Sequence, residues 1–276
     1  MSRTNNRFFG LALAGATFAT VLFGGAACGD DGGSTSGKSV DEVRAALDEE
    51  LAGEVSGDAD KVLKHVTARW LKTVLGTTRD EVKADPSKIK SEDAPPTITE
   101  IKVSGSKATV QVSFPPGQRG GFDYRNAADV VKEGGVWKLD GFHVLSAAKV
   151  PSGSKKVNVD LTDFAFGFSR KEITSKDALV FHVENKGKQN HMMVVNKIPA
   201  DADLQKLLQF EGQGSPPGVE EVGGVFLFSP GDKADVVLKD KLAPGRYVML
   251  CFVGDEDDPQ HGPHVRKGML ADFTVQ

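Results

Sequence analysis

The sequence has little cysteine, no long apolar segment and no excess of basic residues. Among its 276 residues only Cys28 and Cys251 carry a thiol, which is too few for a disulfide framework. The apolar run 8–23 is short for a membrane-spanning helix. The formal net charge is -4, although Arg3 and Arg7 stand in a leading segment free of acidic residues. Because the rest of the chain is therefore more acidic still, we expect no nucleic-acid partner.

The N-terminal segment has the pattern of a bacterial signal peptide. A short basic region precedes the apolar run 8–23, and small residues lead directly into Cys28. Small residues before a cysteine resemble a lipobox, although Gly25 stands where leucine is more usual. The resemblance implies that residues 1–27 are removed, that Cys28 carries lipid, and that residues 28–39 tether the protein to the outer face of the cell membrane. Ordinary cleavage that leaves Cys28 as a free thiol is the alternative.

The remaining thiol then becomes informative. If Cys28 is lipidated, Cys251 has no disulfide partner within an exported chain. A lone cysteine in an oxidising compartment is a liability unless it is buried, paired between chains or bound to a metal.

Residues 40–150 predict an α+β domain in which helices precede an antiparallel meander. Apolar residues at helical spacing predict helices over 40–51 and 59–75, the first with a capping box of Ser39 and Glu42. The apolar period then changes to two, which predicts strands over 98–103, 108–114, 127–131 and 136–142.

This order of elements, ending in GGVWKLDGF, resembles the nuclear transport factor two-like superfamily over residues 40–148. The resemblance implies a cone-shaped fold, which hosts enzymes, ligand pockets and interaction modules and so assigns no function. His65 and His143 are candidates for acid–base chemistry at the mouth of the cone. No spacing ties them to neighbouring acids, so we interpret them as surface residues or satisfied core residues.

The segment Pro-Ser-Gly-Ser at 151–154 marks a boundary, and residues 155–276 predict an all-β domain. Short strands between Gly/Pro turns favour an antiparallel β-sandwich of Greek-key type. The strands are predicted over 157–161, 164–168, 179–183, 192–195, 233–238, 245–252 and 269–275, with a short helix over 203–210 and loops at 216–218 and 223–224.

Four residues of this domain have the chemistry of a single-metal site. His191 follows an early strand, Cys251 ends the strand GRYVMLC, and His264 and Met269 precede the last strand. Blue-copper sites use two imidazoles and a thiolate in one plane, with a weak axial methionine. The four residues therefore predict one copper ion. A buried cysteine that acts as a small apolar residue, and methionines that belong to the core, remain the alternative.

At these residues the chain resembles the cupredoxin family over residues 157–276. The resemblance is carried by FHVENKGKQNH with His191, LAPGRYVMLCF with Cys251, and PHVRKGM with His264 and Met269. It implies an eight-stranded sandwich, the four copper ligands just named, one-electron transfer and a redox protein as partner.

The loop after Cys251 departs from the family pattern. Twelve residues separate Cys251 from His264, and the run 254–260 is acidic, which predicts a solvated, mobile loop that could steer a basic partner. Longer loops close at a cost of only about 0.6 kcal/mol per doubling of length. His261 is a rival ligand, but we prefer His264 because four residues lie between it and Met269, as in plastocyanin-like patterns.

These patterns lead to three hypotheses of function. The first is a membrane-tethered copper protein for electron transfer or copper holding, without enzymatic activity. A thiolate-bridged binuclear centre would need a second cysteine, and multicopper oxidases need further paired His motifs. The second is a metal-free envelope binding module, and the third is an enzyme or ligand binder acting through residues 40–150.

Overall fold

The structure is a computed structural model that describes residues 35–91, 94–115, 120–168, 172–209, 215–258 and 262–276. The predicted lipidation site Cys28 and the rival ligand His261 lie outside the described residues. Within the described ranges, no helix combines the length and the apolar character needed to cross a membrane.

The N-terminal half begins with four helices instead of the two predicted. They are α1 (Thr35–Ser56), α2 (Ala59–Lys64), α3 (Ala68–Leu75) and α4 (Arg79–Ala84). The predicted helix over 59–75 is wrong as a single element, because the chain leaves helical geometry between His65 and Thr67. There the main chain of His65 and Thr67 hydrogen-bonds Leu139 of the sheet, and the Thr67 hydroxyl caps α3 at the N–H of Trp70.

The predicted capping box of Ser39 and Glu42 is also wrong. Helix α1 begins at Thr35, within the predicted tether, so both residues lie inside the helix. The Glu42 carboxylate instead accepts hydrogen bonds from Lys132 Nζ at 2.7 Å and Trp137 Nε1 at 3.3 Å. A real capping box starts α4, where Thr78 and Glu81 hydrogen-bond each other's backbone N–H groups.

The predicted meander is confirmed in its main strands. Strands β1 (Thr97–Ser104), β2 (Lys107–Ser113), β4 (Arg125–Glu133) and β5 (Val136–Leu145) form an antiparallel sheet in the order β1-β2-β4-β5. The buried faces of the helices pack on this sheet around Trp70, Leu71 and Trp137. Burial of each such side chain contributes roughly 1.5–3 kcal/mol, which holds the helices on the sheet.

The C-terminal half is a sandwich of two five-stranded sheets. Its strands are β3 (Phe122–Asp123), β6 (Lys155–Thr162), β7 (Ala165–Phe168), β8 (Glu172–Ile173), β9 (Leu179–Asn185), β10 (His191–Ile198), β11 (Glu220–Phe228), β12 (Lys233–Leu238), β13 (Gly245–Leu250) and β14 (Leu270–Val275), with a short helix α5 (Leu204–Leu208). One sheet has the order β11-β10-β13-β14-β8 and the other β3-β12-β9-β6-β7. Most neighbouring strands pair antiparallel, as predicted, but β6 pairs with β9, and β14 with β8, in parallel.

Strand β11 overturns the prediction of a loop at residues 223–224. Gly223 and Gly224 pair with Val195 and Val194 of β10 inside the strand. Gly120 bridges Gly223, and a Cβ on Gly120 would approach the Gly223 Cα to 2.5 Å. Gly223 is therefore a point of close backbone approach to Gly120, although two adjacent glycines in a sequence usually indicate a turn.

The two halves share structure at their junction. β3 belongs by sequence to the N-terminal half, yet it pairs with β12 of the sandwich. Phe122, Tyr124 and Val144 are buried in the sandwich core with Phe181 and Val236. The junction is therefore a packed interface between the N-terminal sheet region and the sandwich.

Candidate metal centre

The sandwich brings three of the predicted ligands to one end of adjacent strands. His191 opens β10, and Cys251 directly follows β13, the neighbour of β10 in the sheet. The chain then loops out and returns to a short 3-10 helix, His264–Lys267, whose first residue is the third predicted ligand. Its backbone N–H donates to Val253 O at 2.9 Å, which anchors the returning loop beside Cys251.

The three side chains converge on a common point. Cys251 Sγ lies 3.5 Å from His264 Nδ1 and 3.9 Å from His191 Nδ1. The two Nδ1 atoms lie 3.1 Å apart, and all three ligand atoms fall within 4.8 Å of one another. All three side chains are fully buried. Two imidazoles and a thiolate at this spacing form a donor set that suits copper.

The hydrogen bonds on the far side of each ring fix which nitrogen is free to bind a metal. His191 Nε2 lies 3.2 Å from the Asp163 carboxylate, and His264 Nε2 lies 3.0 Å from Gln189 Oε1. Both partners are acceptors, so in each neutral ring Nε2 carries the proton and Nδ1 carries a lone pair. The two lone pairs face each other beside Cys251, with only its S–H proton to share. A bound cation would accept a lone pair from each of these two nitrogens and from the sulfur.

Burial keeps the imidazoles ready for a metal. It lowers the pKa of His264 to about 4, assisted by the neighbouring His191 ring. Burial also lowers the pKa of His191, against the opposing effect of Asp163. Burial raises the pKa of the Cys251 thiol to about 11, so without metal the thiol stays protonated at neutral pH. Burial thus favours the neutral form of both rings, in which Nδ1 keeps its lone pair.

The acidic loop is ordered by specific contacts, so the predicted solvated, mobile loop is wrong for its first half. Asp255 is 3% exposed, pairs with the ammonium of Lys267 and accepts from Gln189 Nε2 at 2.8 Å. The same Gln189 amide oxygen that receives His264 also accepts from Glu256 N–H at 2.9 Å. The loop therefore holds Gln189, and through it the orientation of His264.

Met269 lies beside these ligands in the fold. Its N–H donates to His264 O at 3.0 Å, and its carbonyl accepts from Cys251 N–H at 3.3 Å. The side chain is fully buried in the sandwich core. Phe164 packs its ring edge-on against His264 with 5.2 Å between ring centroids, which closes the site from the side of the β6–β7 turn.

The described histidines outside this cluster have structural partners, as the sequence predicted for His65 and His143. His65 Nδ1 and Nε2 lie 2.9 Å from Trp137 O and from the Glu49 carboxylate. His182 hydrogen-bonds Asp235 on the neighbouring strand at 2.7 Å. His143 bridges two carboxylates at the junction, which raises its pKa to about 10. Since His143 is protonated at neutral pH, it has no lone pair to act there as a base.

Sequence reasoning missed the residues behind the ligands. Asp163 lies 28 positions before His191, and Gln189 contacts His264 through its side-chain amide. The one signal was the dense polar turn NKGKQN before His191, since polar residues at a strand end hydrogen-bond neighbouring loops.

Comparison with known proteins gives structural neighbours only. No family model matches the chain, and no curated protein matches it. The sodium dithionite-reduced auracyanin of the photosynthetic bacterium Roseiflexus castenholzii is 20% identical over 45% of this chain and 99% of its own, with a TM-score of 0.30. Auracyanin A of Chloroflexus aurantiacus, described as a "blue" copper protein, is 14% identical over 44% of this chain and 100% of its own, with a TM-score of 0.28.

The chain has structural neighbours of a second kind. An NTF-2-like protein of unknown function from Silicibacter pomeroyi is 14% identical over 39% of this chain and 97% of its own, with a TM-score of 0.28. The predicted resemblances to cupredoxins and to the nuclear transport factor two-like superfamily are thereby confirmed as resemblances. Such low values assign no function.

Proposed function

We propose that the chain is an extracytoplasmic, membrane-tethered copper protein that holds one copper ion and transfers single electrons or stores the metal. His191, Cys251 and His264 would be the strong ligands, and Met269 the weak axial one. Copper held by such a set exchanges a single electron between Cu(II) and Cu(I). The proposed role is that of a carrier with a redox protein as partner, and not that of an enzyme.

One observation carries this proposal: two buried imidazole Nδ1 lone pairs and a thiol face one another. Nδ1 atoms only 3.1 Å apart, each with its Nε2 proton already donated elsewhere, are poorly satisfied by one S–H proton. Buried polar atoms in native proteins are rarely left in this state. A soft cation with affinity for nitrogen and sulfur resolves the conflict, and copper is such a cation.

Burial of the whole donor set favours a role as a carrier of electrons or copper, and not a catalytic role. The side chains of His191, Cys251, His264 and Met269 all have 0% exposure, so a substrate would have no direct access to a metal held by them. Ligands held by packing and hydrogen bonds keep one arrangement, which suits a site that gains and loses an electron without rearranging.

Membrane tethering rests on the sequence before the described residues. The basic, apolar and small-residue regions that end at Cys28 support export and lipidation, and one lipid chain anchors weakly unless a second signal assists it. Mass spectrometry of the protein from a bacterial membrane fraction tests this part: the expected mature chain starts at Cys28 with attached acyl groups, and an unmodified Cys28 would contradict it.

Titration of the purified protein with Cu(II) tests the copper site. The expected result is an intense absorption band at about 600 nm that saturates at one copper per chain, because a thiolate–copper bond absorbs strongly in the visible. Saturation at one equivalent without any such band would rule out the thiolate site. An absence of both copper binding and colour would favour the metal-free binding module.

A further inference from the structure

The turn between β6 and β7 places a carboxylate behind one of the proposed copper ligands. Asp163 Oδ1 lies 3.2 Å from His191 Nε2, on the side of the ring opposite to Cys251. The same oxygen accepts from the backbone N–H of Lys188 at 2.9 Å and of Gln189 at 3.3 Å. A carboxyl group that accepts from two backbone N–H groups and faces a ring N–H is favoured in its ionised form.

The chain makes room for this contact with a glycine. A Cβ on Gly187 would lie 2.7 Å from His191 Nε2 and closer still to Asp163 Oδ1. Any larger residue at this position would push the carboxylate and the ring apart. The Gly187 N–H is held by Asn185 Oδ1 at 2.9 Å and Leu161 O at 3.1 Å, so the turn stays against the carboxylate.

The two imidazoles of the site thus donate their Nε2 protons to acceptors of different charge. His264 donates its Nε2 proton to the neutral amide of Gln189, whereas His191 donates to a full negative charge. A carboxylate that accepts the Nε2 proton makes the imidazole a stronger electron donor at Nδ1 and fixes the tautomer. It also adds a fixed negative charge close to the bound cation, and charges interact more strongly in a buried site than in water.

We propose that Asp163 is a positioning residue that sets the reduction potential of the site, by stabilising its oxidised form through His191. The inference rests on the proposed function. With the Cys251 thiolate and Asp163, a divalent ion gives a locally neutral cluster, whereas a monovalent ion leaves one uncompensated negative charge. The carboxylate therefore favours Cu(II) over Cu(I). Gln189, which is uncharged, contributes orientation without this bias.

The test is the reduction potential of Asp163→Asn, measured by following the visible band of the copper-loaded protein against mediators of known potential. Asparagine keeps the size of the side chain and an oxygen acceptor but removes the charge. We expect the preference for Cu(II) over Cu(I) to fall about tenfold, in the range typical for the loss of an outer carboxylate, which raises the potential by about 59 mV for one electron.

Asp160→Asn is the matched control. Asp160 lies on β6, three residues before Asp163, and pairs with Lys186 at 2.8 Å, so its replacement removes the same charge from a nearby position. We expect a change in potential several-fold smaller than for Asp163→Asn. If Asp163 only stabilises the turn, Asp163→Asn should unfold at a lower temperature but keep the reduction potential of the wild type. That result would overturn the inference.

Two further measurements cover a variant that does not fold and a variant that loses its Cu(II) band. If Asp163→Asn does not fold, Asp163→Ser also removes the charge from a smaller side chain, and the same upward shift is expected. If a variant loses the Cu(II) band, competition with chelators of Cu(I) and of Cu(II) is expected to show a larger loss for Cu(II). Equal losses would contradict the inference. Absence of a copper band in the wild type would instead refute the proposed function.

Discussion

Cys251→Ser is expected to remove the visible band completely and to weaken copper binding by more than a factor of about 100. Loss of an outer hydrogen-bond partner alone weakens metal sites about 10–100-fold, and serine removes the only thiolate of the described donor set. The measurement is a Cu(II) titration followed by absorbance and electron-paramagnetic resonance. Any residual copper should give the spectrum of a site with nitrogen and oxygen ligands.

The fold of Cys251→Ser should survive, which keeps this result interpretable. Serine is similar in size, and its oxygen can accept the Met192 N–H that points at Cys251 Sγ at 3.4 Å. The expected loss of stability is about 1–3 kcal/mol, because a buried hydroxyl must find partners. His182→Gln is the control, since it removes an imidazole outside the donor set and should leave the band unchanged. A wild-type band in Cys251→Ser would contradict the assignment of the ligands.

His143→Gln is expected to destabilise the protein by about 1–3 kcal/mol, because it removes a cation shared by both halves of the chain. His143 Nε2 lies 2.7 Å from Asp129 of β4, and Nδ1 lies 2.7 Å from Asp232 in the turn before β12. The loss should fall short of the 3–5 kcal/mol typical of fully buried pairs, since the side chain is 28% exposed and partly screened. Thermal or denaturant unfolding measures it.

The effect of His143 should depend on pH in a defined direction. Hydrogen bonds to Asp129 and Asp232 raise its pKa from 6.5 to about 10 in the folded state. The stabilisation is therefore fully present below about pH 6.5 and is lost as the pH rises towards about 10. The difference between wild type and His143→Gln should shrink across this window. A difference that stays constant with pH would contradict the charged bridge.

His182→Gln again supplies the control. His182 contacts Asp235 at 2.7 Å, but both residues belong to the sandwich. Its replacement should cost less than about 1 kcal/mol, as is usual for exposed pairs. Equal losses for the two variants would show that His143 adds nothing by joining the two halves.

The sequence was sufficient to single out His191, Cys251 and His264, which the structure brings together, because their order along the chain reflects strand order. His191 and Cys251 stand at the ends of strands that alternate apolar residues, and β10 and β13 prove to be neighbours. Strand ends that share an edge of a sheet bring their side chains together, whatever the distance between them in sequence. Residue type and position at a strand end were therefore enough to predict which residues form the candidate site.

The surroundings of the site could not be predicted, because they depend on contacts between loops. Asp163 contacts His191, 28 residues further along the chain. Asp255 is buried because Lys267 compensates its charge and Gln189 donates a hydrogen bond to it. An acidic run in a sequence usually indicates a solvated loop, and nothing local distinguishes a carboxylate whose partner lies in another turn.

The misjudged strand and helices have similar physical causes. Gly223 and Gly224 suggested a loop, although they lie within a strand and Gly223 is approached closely by the backbone of Gly120. The break between α2 and α3 depends on hydrogen bonds from the main chain of His65 and Thr67 to Leu139, more than seventy residues away. Tertiary contacts override local propensity at both places.

The central claim is that His191, Cys251 and His264 hold one copper ion, and anomalous X-ray diffraction at the copper absorption edge tests it most directly. Crystals grown with one equivalent of Cu(II) should show one strong peak among Cys251 Sγ and the two Nδ1 atoms, and that peak should vanish in Cys251→Ser. A peak located elsewhere on the protein, or the same peak in Cys251→Ser, would contradict the account.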